Sequence, residues 1–171
     1  NMQADLLDGL LPSTHNSSFT FWLGQGKNTA LGGVLMIGGV DPSFYAGDLH
    51  WVPITRAGYW EFALESVALG NLTDSTHHFT NAVAIADTGT SLITGPSSSI
   101  AALEALIPIA DDCSNVDSLP SVVFELDGRS YALPPQDYVV FFTEEEQTSC
   151  VLGFRPLDIK APRGPIWILG D

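Results

Sequence analysis

Short apolar runs separated by turn residues are the feature that most limits the folds open to this chain. Each run has the length of a single strand, and glycine, proline or Asp-Gly pairs lie between the runs. Helical periodicity is scarce, so the pattern predicts a mostly β domain. The predicted strands span residues 19–23, 31–40, 49–54, 59–68, 82–86, 122–126, 131–133, 139–142 and 166–169. The Asp127-Gly128 pair predicts a tight hairpin between two of them.

One segment has helical spacing instead. Pro96 occupies a position where helices begin, and the hydroxyl groups of Ser97 to Ser99 are predicted to satisfy the first free N–H groups. Apolar residues then fall on one helical face, until Pro108 ends the pattern. These apolar residues are Ile100, Leu103, Leu106 and Ile107. We therefore expect one or two short helices in the mostly β domain.

The charge of the chain is strongly negative. Its 171 residues include 20 acidic and six basic ones, which gives a formal net charge of −14. Such a field repels nucleic acids and anionic membrane surfaces, and this argues against both as partners. Two interpretations of the acidity stay open. It is either an ordinary soluble surface or an adaptation to low pH, where few positive charges would be left to repel one another.

Several features bear on the compartment of the protein. No apolar run approaches the roughly 18 to 20 residues of a membrane-spanning helix, and the acidic opening of the chain does not resemble a signal peptide. Cys113 and Cys150 fit neither a redox pair nor a zinc site, which leaves either two free thiols or one disulfide. Sequons at Asn16 and Asn71 are glycosylation candidates and favour the secretory pathway.

The stretch of residues 85–96 carries the chemistry. An apolar strand delivers Asp87 into a turn where Gly89 lets the backbone bend sharply. Hydroxyl groups around the turn are predicted to orient the carboxylate by hydrogen bonds. They belong to Thr88 and Thr90 as donors and to Ser91, which is predicted to fix the carboxylate. A bare Asp-Thr-Gly triplet fits an ordinary turn at a strand end, but the full stretch indicates a catalytic aspartate.

This stretch resembles the second active-site motif of the pepsin-like aspartic proteases. The residues after Asp-Thr-Gly, Leu92-Ile93-Thr94-Gly95-Pro96, are similar to the second-lobe motif, whereas the first-lobe motif continues with Ser-Asn-Leu-Trp. Further similar stretches are residues 35–41, 51–53, 58–60, 117–120 and 167–171. The resemblance implies a mostly β, pepsin-like acid protease lobe of the double-psi β-barrel type. Residues 1–171 would be the C-terminal lobe of a bilobal enzyme.

The resemblance also implies an aspartic endopeptidase that hydrolyses peptide bonds at acidic pH without a cofactor or metal. Asp87 would be the second of two catalytic aspartates, one from each lobe, which share a proton and hold a water. The active-site support would come from Thr88, Gly89, Thr90 and Ser91, and the cleft walls from Tyr59, Ile85 and Ile168. The implied partners are the N-terminal lobe, peptide or protein substrates and pepstatin-type inhibitors.

The resemblance also implies how the protein is processed, and the chain departs from the family pattern at several points. It implies a Cys113–Cys150 disulfide and a secreted or lysosomal (or vacuolar) glycoprotein made as a zymogen. The chain departs from the family pattern because it has one Asp-Thr-Gly and lacks the first-lobe motif, the flap tyrosine, a small second disulfide and the final C-terminal segment. We therefore expect the fragment alone to be inactive. The adjacent His77 and His78 are expected to be solvated rather than metal-bound.

Two alternatives from other classes stay open. A non-catalytic pepsin-like binding or inhibitor protein would also keep one motif and lose the other. A retroviral-type homodimer would supply two copies of Asp87, although the length and the second-lobe motif argue against it. A carbohydrate-stacking surface is less favoured than core packing for the four tryptophans, Trp22, Trp51, Trp60 and Trp167.

Overall fold

The protein folds mostly into β-strands, and a computed structural model describes residues 18–24, 32–70, 78–145, 147–160 and 163–171. Within these residues there are twelve strands and two short α-helices. The strands are β1 Phe19–Leu23, β2 Gly33–Ile37, β3 Ile54–Arg56, β4 Glu61–Leu69, β5 His78–Ala86, β6 Ile93–Gly95, β7 Val122–Leu126, β8 Arg129–Leu133, β9 Val139–Glu144, β10 Gln147–Leu152, β11 Phe154–Pro156 and β12 Ile166–Leu169. The helices are α1 Ser97–Leu106 and α2 Pro135–Tyr138. The expected fold class is confirmed, and the architecture is consistent with a pepsin-like lobe.

The chain divides into two compact units, residues 1–50 and 51–171. In the first unit, β1 and β2 form an antiparallel ribbon in which Phe21 lies opposite Leu35. A turn of 3₁₀-helix, Pro42–Phe44, follows the ribbon. The ring of Trp22 packs against the ring of Phe44 with 5.1 Å between the centroids.

The second unit is built on an eight-stranded mixed sheet. Its strand order is β11-β6-β12-β5-β4-β7-β8, and β3 pairs with β4. Strand β12 runs parallel to β5 on one side and antiparallel to β6 on the other. Strands β9 and β10 form a separate antiparallel hairpin. The sheet therefore holds β5 at its centre, with β12 and β4 on either side.

The core of this unit joins the sheet to helix α1. Ile100, Leu103 and Ile107 are buried, as their helical spacing predicts, and belong to one cluster with Trp167 of β12. Trp167 is 1% exposed and meets the ring of Phe124 edge to face, with 6.1 Å between the centroids. Burial of such large apolar side chains is the main stabilising contribution to the unit.

A disulfide joins Cys113 to Cys150, with 5.8 Å between the Cα atoms. The pairing implied by the resemblance is therefore confirmed. Cys150 lies on β10 opposite Phe141 of β9, and Cys113 lies in the segment after α1. The bridge thus links the β9–β10 hairpin to the end of the helical region.

Local signals in the sequence identify some elements correctly and others wrongly. The Asp127-Gly128 hairpin is confirmed, since both residues have positive φ values, 49° and 71°. The predicted strand over residues 49–54 is wrong, because the ladder begins only at Ile54. Pro53 has no N–H to offer a neighbouring strand and so stands outside the ladder.

The predicted cap of helix α1 is also wrong. No serine side chain at its start caps the helix; instead Asp158 accepts hydrogen bonds from the Ser97 amide at 2.9 Å and the Ser97 hydroxyl at 2.7 Å. Asp158 lies 61 residues later in the sequence. The cap is therefore a tertiary contact, which also fixes the segment after β11 against the helix.

Core packing is confirmed for Trp167 and wrong for two other tryptophans. Trp51 is 72% exposed and Trp60 is 54% exposed, because both lie in irregular segments on either side of β3 instead of on a strand that faces the core. Asn16, Asn71 and His77 lie outside the described residues, so the predictions for them stay predictions. Within the described ranges, no helix combines the length and apolar character needed to cross a membrane.

Candidate active site

The backbone around Asp87 is fixed by the two strands beside β5. Strand β12 lies parallel to β5, with Ile168 opposite Ile85, and the Asp87 amide donates to the carbonyl oxygen of Leu169 at 3.0 Å. On the other side, the Ala86 amide donates to the Trp60 carbonyl oxygen at 3.1 Å. The aspartate therefore stands at the end of a central strand whose position is set from both sides.

The carboxylate of Asp87 receives one hydrogen bond on each oxygen from its own loop. The Gly89 amide donates to Oδ1 at 3.0 Å, and the Thr90 hydroxyl donates to Oδ2 at 2.7 Å. The Thr90 amide also donates to the Asp87 carbonyl oxygen at 3.2 Å, which closes the turn. These donors fix the plane of the carboxylate, and the side chain stays only partly buried.

The chain after β12 passes directly beneath this loop. The Asp171 amide donates to the carbonyl oxygen of Thr90 at 2.9 Å. Gly170 makes the close approach possible, because a Cβ there would collide with the carbonyl oxygens of Thr90 and Leu92. The loop is therefore supported by backbone contacts on the side away from solvent.

The structure places the predicted support residues in one loop, but it distributes their contacts differently from the prediction. Thr90, and not Ser91, supplies the hydroxyl that holds the carboxylate. Thr88, Gly89 and Ser91 are exposed on the loop surface. Their predicted support of the active site stays a prediction.

The predicted cleft-wall residues lie on β5, on β12 and in the segment before β4, and these elements adjoin the loop of Asp87. Ile85 directly precedes the loop on β5 and is 9% exposed, and Ile168 is partly buried opposite it on β12. Tyr59 is 59% exposed, and the guanidinium of Arg163 lies over its ring, 6.0 Å from the centroid. Their contact with a substrate stays a prediction.

The sequence analysis missed an ion pair close to these residues. Glu61 lies opposite Ile85 on the neighbouring strand and is 4% exposed. Its Oε2 accepts a hydrogen bond from Arg56 Nη2 at 2.7 Å, and the Thr55 hydroxyl lies 3.3 Å from Oε1. The hydrogen bond from Arg56 holds the pKa of Glu61 below its ordinary value, against the opposing effect of burial, and Arg163 acts in the same direction. The scarcity of basic residues was the only signal in the sequence that could have pointed to this pair.

The arrangement at Asp87 suits a carboxylate that accepts and donates protons. Both oxygens are held by donors, and the side chain is open to solvent on the loop surface. Among the described residues, no group of three or more histidine, cysteine, aspartate or glutamate side chains is arranged to bind a metal ion.

Comparison with known proteins gives a consistent result. A model of the eukaryotic aspartyl protease family matches residues 12–171. Cathepsin D of Chionodraco hamatus is 41% identical over 162 residues, which are 90% of this chain and 40% of that protein. Pepsin A of Sus scrofa is 38% identical over 153 residues, which are 85% of this chain and 38% of that protein. The chain thus spans about 40% of the length of the relatives that it matches.

Proposed function

The chain belongs to the eukaryotic aspartyl protease family, and from this premise we propose that it is the C-terminal lobe of a bilobal aspartic endopeptidase in which Asp87 is one of two catalytic carboxylates. The observation that carries the proposal is the Asp87 loop. A partly exposed carboxylate at the end of a central strand accepts one hydrogen bond on each oxygen. An aspartate in an ordinary turn needs no such support from two neighbouring strands.

The proposed reaction uses Asp87 together with an aspartate of the N-terminal lobe. The pair shares one proton and holds a water molecule. The ionised carboxylate takes a proton from the water as its oxygen bonds to the scissile carbonyl carbon, and the protonated carboxyl gives its proton to the carbonyl oxygen. As the C–N bond of the tetrahedral intermediate breaks, the carboxyl that took the proton from water gives it to the amide nitrogen. The other carboxylate takes a proton from a hydroxyl of the intermediate, which restores the shared proton of the pair. Thr90 and Gly89 keep the plane of the Asp87 carboxylate constant through both steps.

Support for a partner lobe comes from the β1–β2 ribbon. Cross-strand partners share a face of such a ribbon, and the face that contains Phe21 and Leu35 is apolar throughout. Phe19 on this face is partly buried, and its other large side chains are between 42% and 53% exposed: Phe21, Leu23, Leu35 and Ile37. An apolar surface of this kind indicates an interaction site. We assign it to the N-terminal lobe, because the relatives are more than twice as long as this chain.

The proposal extends to the compartment of the protein and to the molecules that it binds. The Cys113–Cys150 disulfide favours an oxidising compartment, and hence a secreted or lysosomal (or vacuolar) protein. Peptide or protein substrates and pepstatin-type inhibitors would bind between the lobes at acidic pH. The fragment without the N-terminal lobe would be inactive, because a single carboxylate cannot supply both the base and the acid.

The test is proteolysis by the full-length protein that contains this chain. We expect acid-dependent, pepstatin-sensitive cleavage of a denatured protein substrate, and its loss by at least about a thousandfold in Asp87→Asn. Asp127→Asn is the matched control. Asp127 also lies in a turn that contains a glycine, but this turn is in the exposed β7–β8 hairpin. This variant is expected to keep full activity.

Three results would contradict the proposal. Cleavage that persists in Asp87→Asn would remove the catalytic role of Asp87. A folded, full-length protein with no activity would instead favour a non-catalytic pepsin-like binding or inhibitor protein. Cleavage by residues 1–171 alone, sensitive to pepstatin and dependent on dimerisation, would favour the homodimer.

A further inference from the structure

Two of the six basic residues of this acidic chain line one open cavity. The cavity has a volume of about 370 Å³ and lies within the second unit. Its lining residues come from β3, the start of β4, the middle of β5 and the segment before β12: Thr55, Arg56, Glu61, Ala82, Val83, Arg163, Gly164 and Pro165. The formal charge of this lining is positive, since it holds two arginines and one glutamate, although the chain carries a net charge of −14.

One of the two arginines already has a carboxylate partner. Arg56 donates to Glu61 at 2.7 Å, and the glutamate side chain is 5% exposed. Arg56 therefore compensates the buried negative charge of Glu61. The positive charge that remains in the cavity belongs to Arg163.

Arg163 interacts with Glu61 through its charge only, without an ion-pair contact. Its guanidinium lies 6.0 Å from the centroid of the Tyr59 ring, a distance at which the ring face attracts the cation. No carboxylate of the described residues forms an ion pair with it. Because a guanidinium presents several N–H donors in one plane, it suits the two oxygens of an incoming carboxylate.

The position of the cavity relates it to Asp87. Val83 lines the cavity and lies four residues before Asp87 on the same strand path, which corresponds to about 13 Å at the usual rise of a β-strand. An extended peptide has nearly the same rise per residue. The separation of Val83 from Asp87 therefore matches the length of about four residues of an extended peptide.

We propose that this cavity binds the carboxylate of an acidic side chain in the bound peptide, and that Arg163 is the residue that determines this preference. The inference rests on the proposed function, since it takes the peptide aligned at Asp87 as the ligand. It adds a specificity for glutamate or aspartate at a position to one side of the scissile bond.

The experiment measures peptide binding to the full-length protein that carries Asp87→Asn, so that no turnover is needed. The probes are short peptides with a central apolar pair and a single Glu at successive flanking positions, each with its Gln counterpart. At about pH 6, where a peptide glutamate is ionised, we expect one Glu position to bind about five- to tenfold more tightly than Gln. At about pH 3 the preference should disappear, because the glutamate is protonated.

The variant is Arg163→Gln, which should abolish the preference for Glu and leave the affinity for the Gln peptides unchanged. Arg56 is unsuitable, because its removal would leave Glu61 buried without its cation. Arg129→Gln is the matched control: Arg129 also lies over a tyrosine ring, 5.6 Å from the centroid of Tyr131, but on β8 and away from the cavity. It should keep the preference.

The outcomes separate the inference from the proposed function. Equal affinities for Glu and Gln peptides at every position, or a preference that survives Arg163→Gln, would overturn the inference even in an active protease. A preference that depends on Arg163 in a protein without proteolytic activity would support the cavity as a carboxylate site and contradict only the proposed catalysis. Absence of any peptide binding would overturn the inference, whereas the proposed function is decided separately by the proteolysis of the unchanged protein.

Discussion

Gly95 of β6 lies directly against the indole ring of Trp167. A Cβ added to Gly95 would stand 2.7 Å from Cε3 of the tryptophan, and two further ring atoms lie within 2.9 Å of that point. The indole cannot withdraw, because Trp167 is 1% exposed in the core. The close approach of these two residues lets β6 pack beside β12, and the loop of Asp87 joins β5 to β6 across the end of β12.

Replacement of Gly95 by alanine should therefore destabilise the protein. We expect Gly95→Ala to lower the free energy of unfolding by about 1–3 kcal/mol, since overpacking against a fixed ring forces the backbone to shift. Denaturant unfolding measures the change. Gly39→Ala is the control, because a Cβ at Gly39 meets no atom within 4 Å, and its effect should stay within about 0.5 kcal/mol. Equal stability of Gly95→Ala and the unchanged protein would contradict the packing described for Trp167.

The hydroxyl of Thr90 should matter for catalysis more than that of Ser91. Thr90→Val removes the donor to Asp87 Oδ2, and we expect kcat to fall by about ten- to a hundredfold, the effect of a lost hydrogen bond to a charged group. Thr90→Ser should restore most of the rate. Ser91→Ala, in the same loop but without a hydrogen bond to Asp87, should change kcat less than about twofold. If Ser91→Ala were the more damaging change, the assignment of the hydroxyl would be wrong.

The cap at helix α1 should make stability depend on pH. Hydrogen bonds from the Ser97 amide and hydroxyl hold the pKa of Asp158 below its ordinary value of 3.8. A carboxylate with a lowered folded-state pKa contributes stability above its unfolded-state pKa and loses it as the pH falls through the folded-state value. Asp158→Ala should therefore lower the melting temperature by a few degrees at neutral pH.

The difference between Asp158→Ala and the unchanged protein should shrink as the pH falls below 3.8, because the protonated carboxyl no longer accepts both hydrogen bonds as a charged group. Thermal melts across this pH range measure it. Glu104→Gln, an exposed change on the same helix, serves as the control and should show no such trend. A difference that stays constant with pH would argue against a charged cap.

Loss of the disulfide should lower the free energy of unfolding. Cys113 and Cys150 are 37 positions apart, and closing a loop of this size stabilises the folded state by roughly 3–4 kcal/mol in the chain-entropy account. The double variant Cys113→Ser with Cys150→Ser should show this loss in denaturant unfolding. Reduction of the unchanged protein should reproduce it, and an unchanged midpoint after reduction would contradict the contribution.

Much of the fold could be predicted because its signals are local. The apolar strand before Asp87, the glycine turn after it and the Asp-Gly hairpin each depend on residues that are adjacent in sequence. Strands β6, β10 and β11 were missed because β6 and β11 have only three residues each and β10 begins with the polar run Gln147-Thr148-Ser149. None of the three shows the alternation that marks a strand.

The details of the site depend on contacts that local patterns do not contain. The Asp158 cap joins residues 61 positions apart, and the pairing of Arg56 with Glu61 follows from the turn before β4. The choice of Thr90 over Ser91 depends on which hydroxyl the turn directs at the carboxylate. The exposure of Trp51 depends on where β3 begins, and an apolar side chain by itself does not fix that.

The position of β12 between β5 and β6 also affects how the chain folds while it is being synthesised. Residues 166–169 leave the ribosome after both of their neighbours, so the strand that joins β5 to β6 in the sheet is absent until they emerge. The edges of β5 and β6 that pair with β12 have no partner during that interval, and unpaired strand edges favour association with other chains. The sheet that carries Asp87 is therefore completed only after translation has passed these residues.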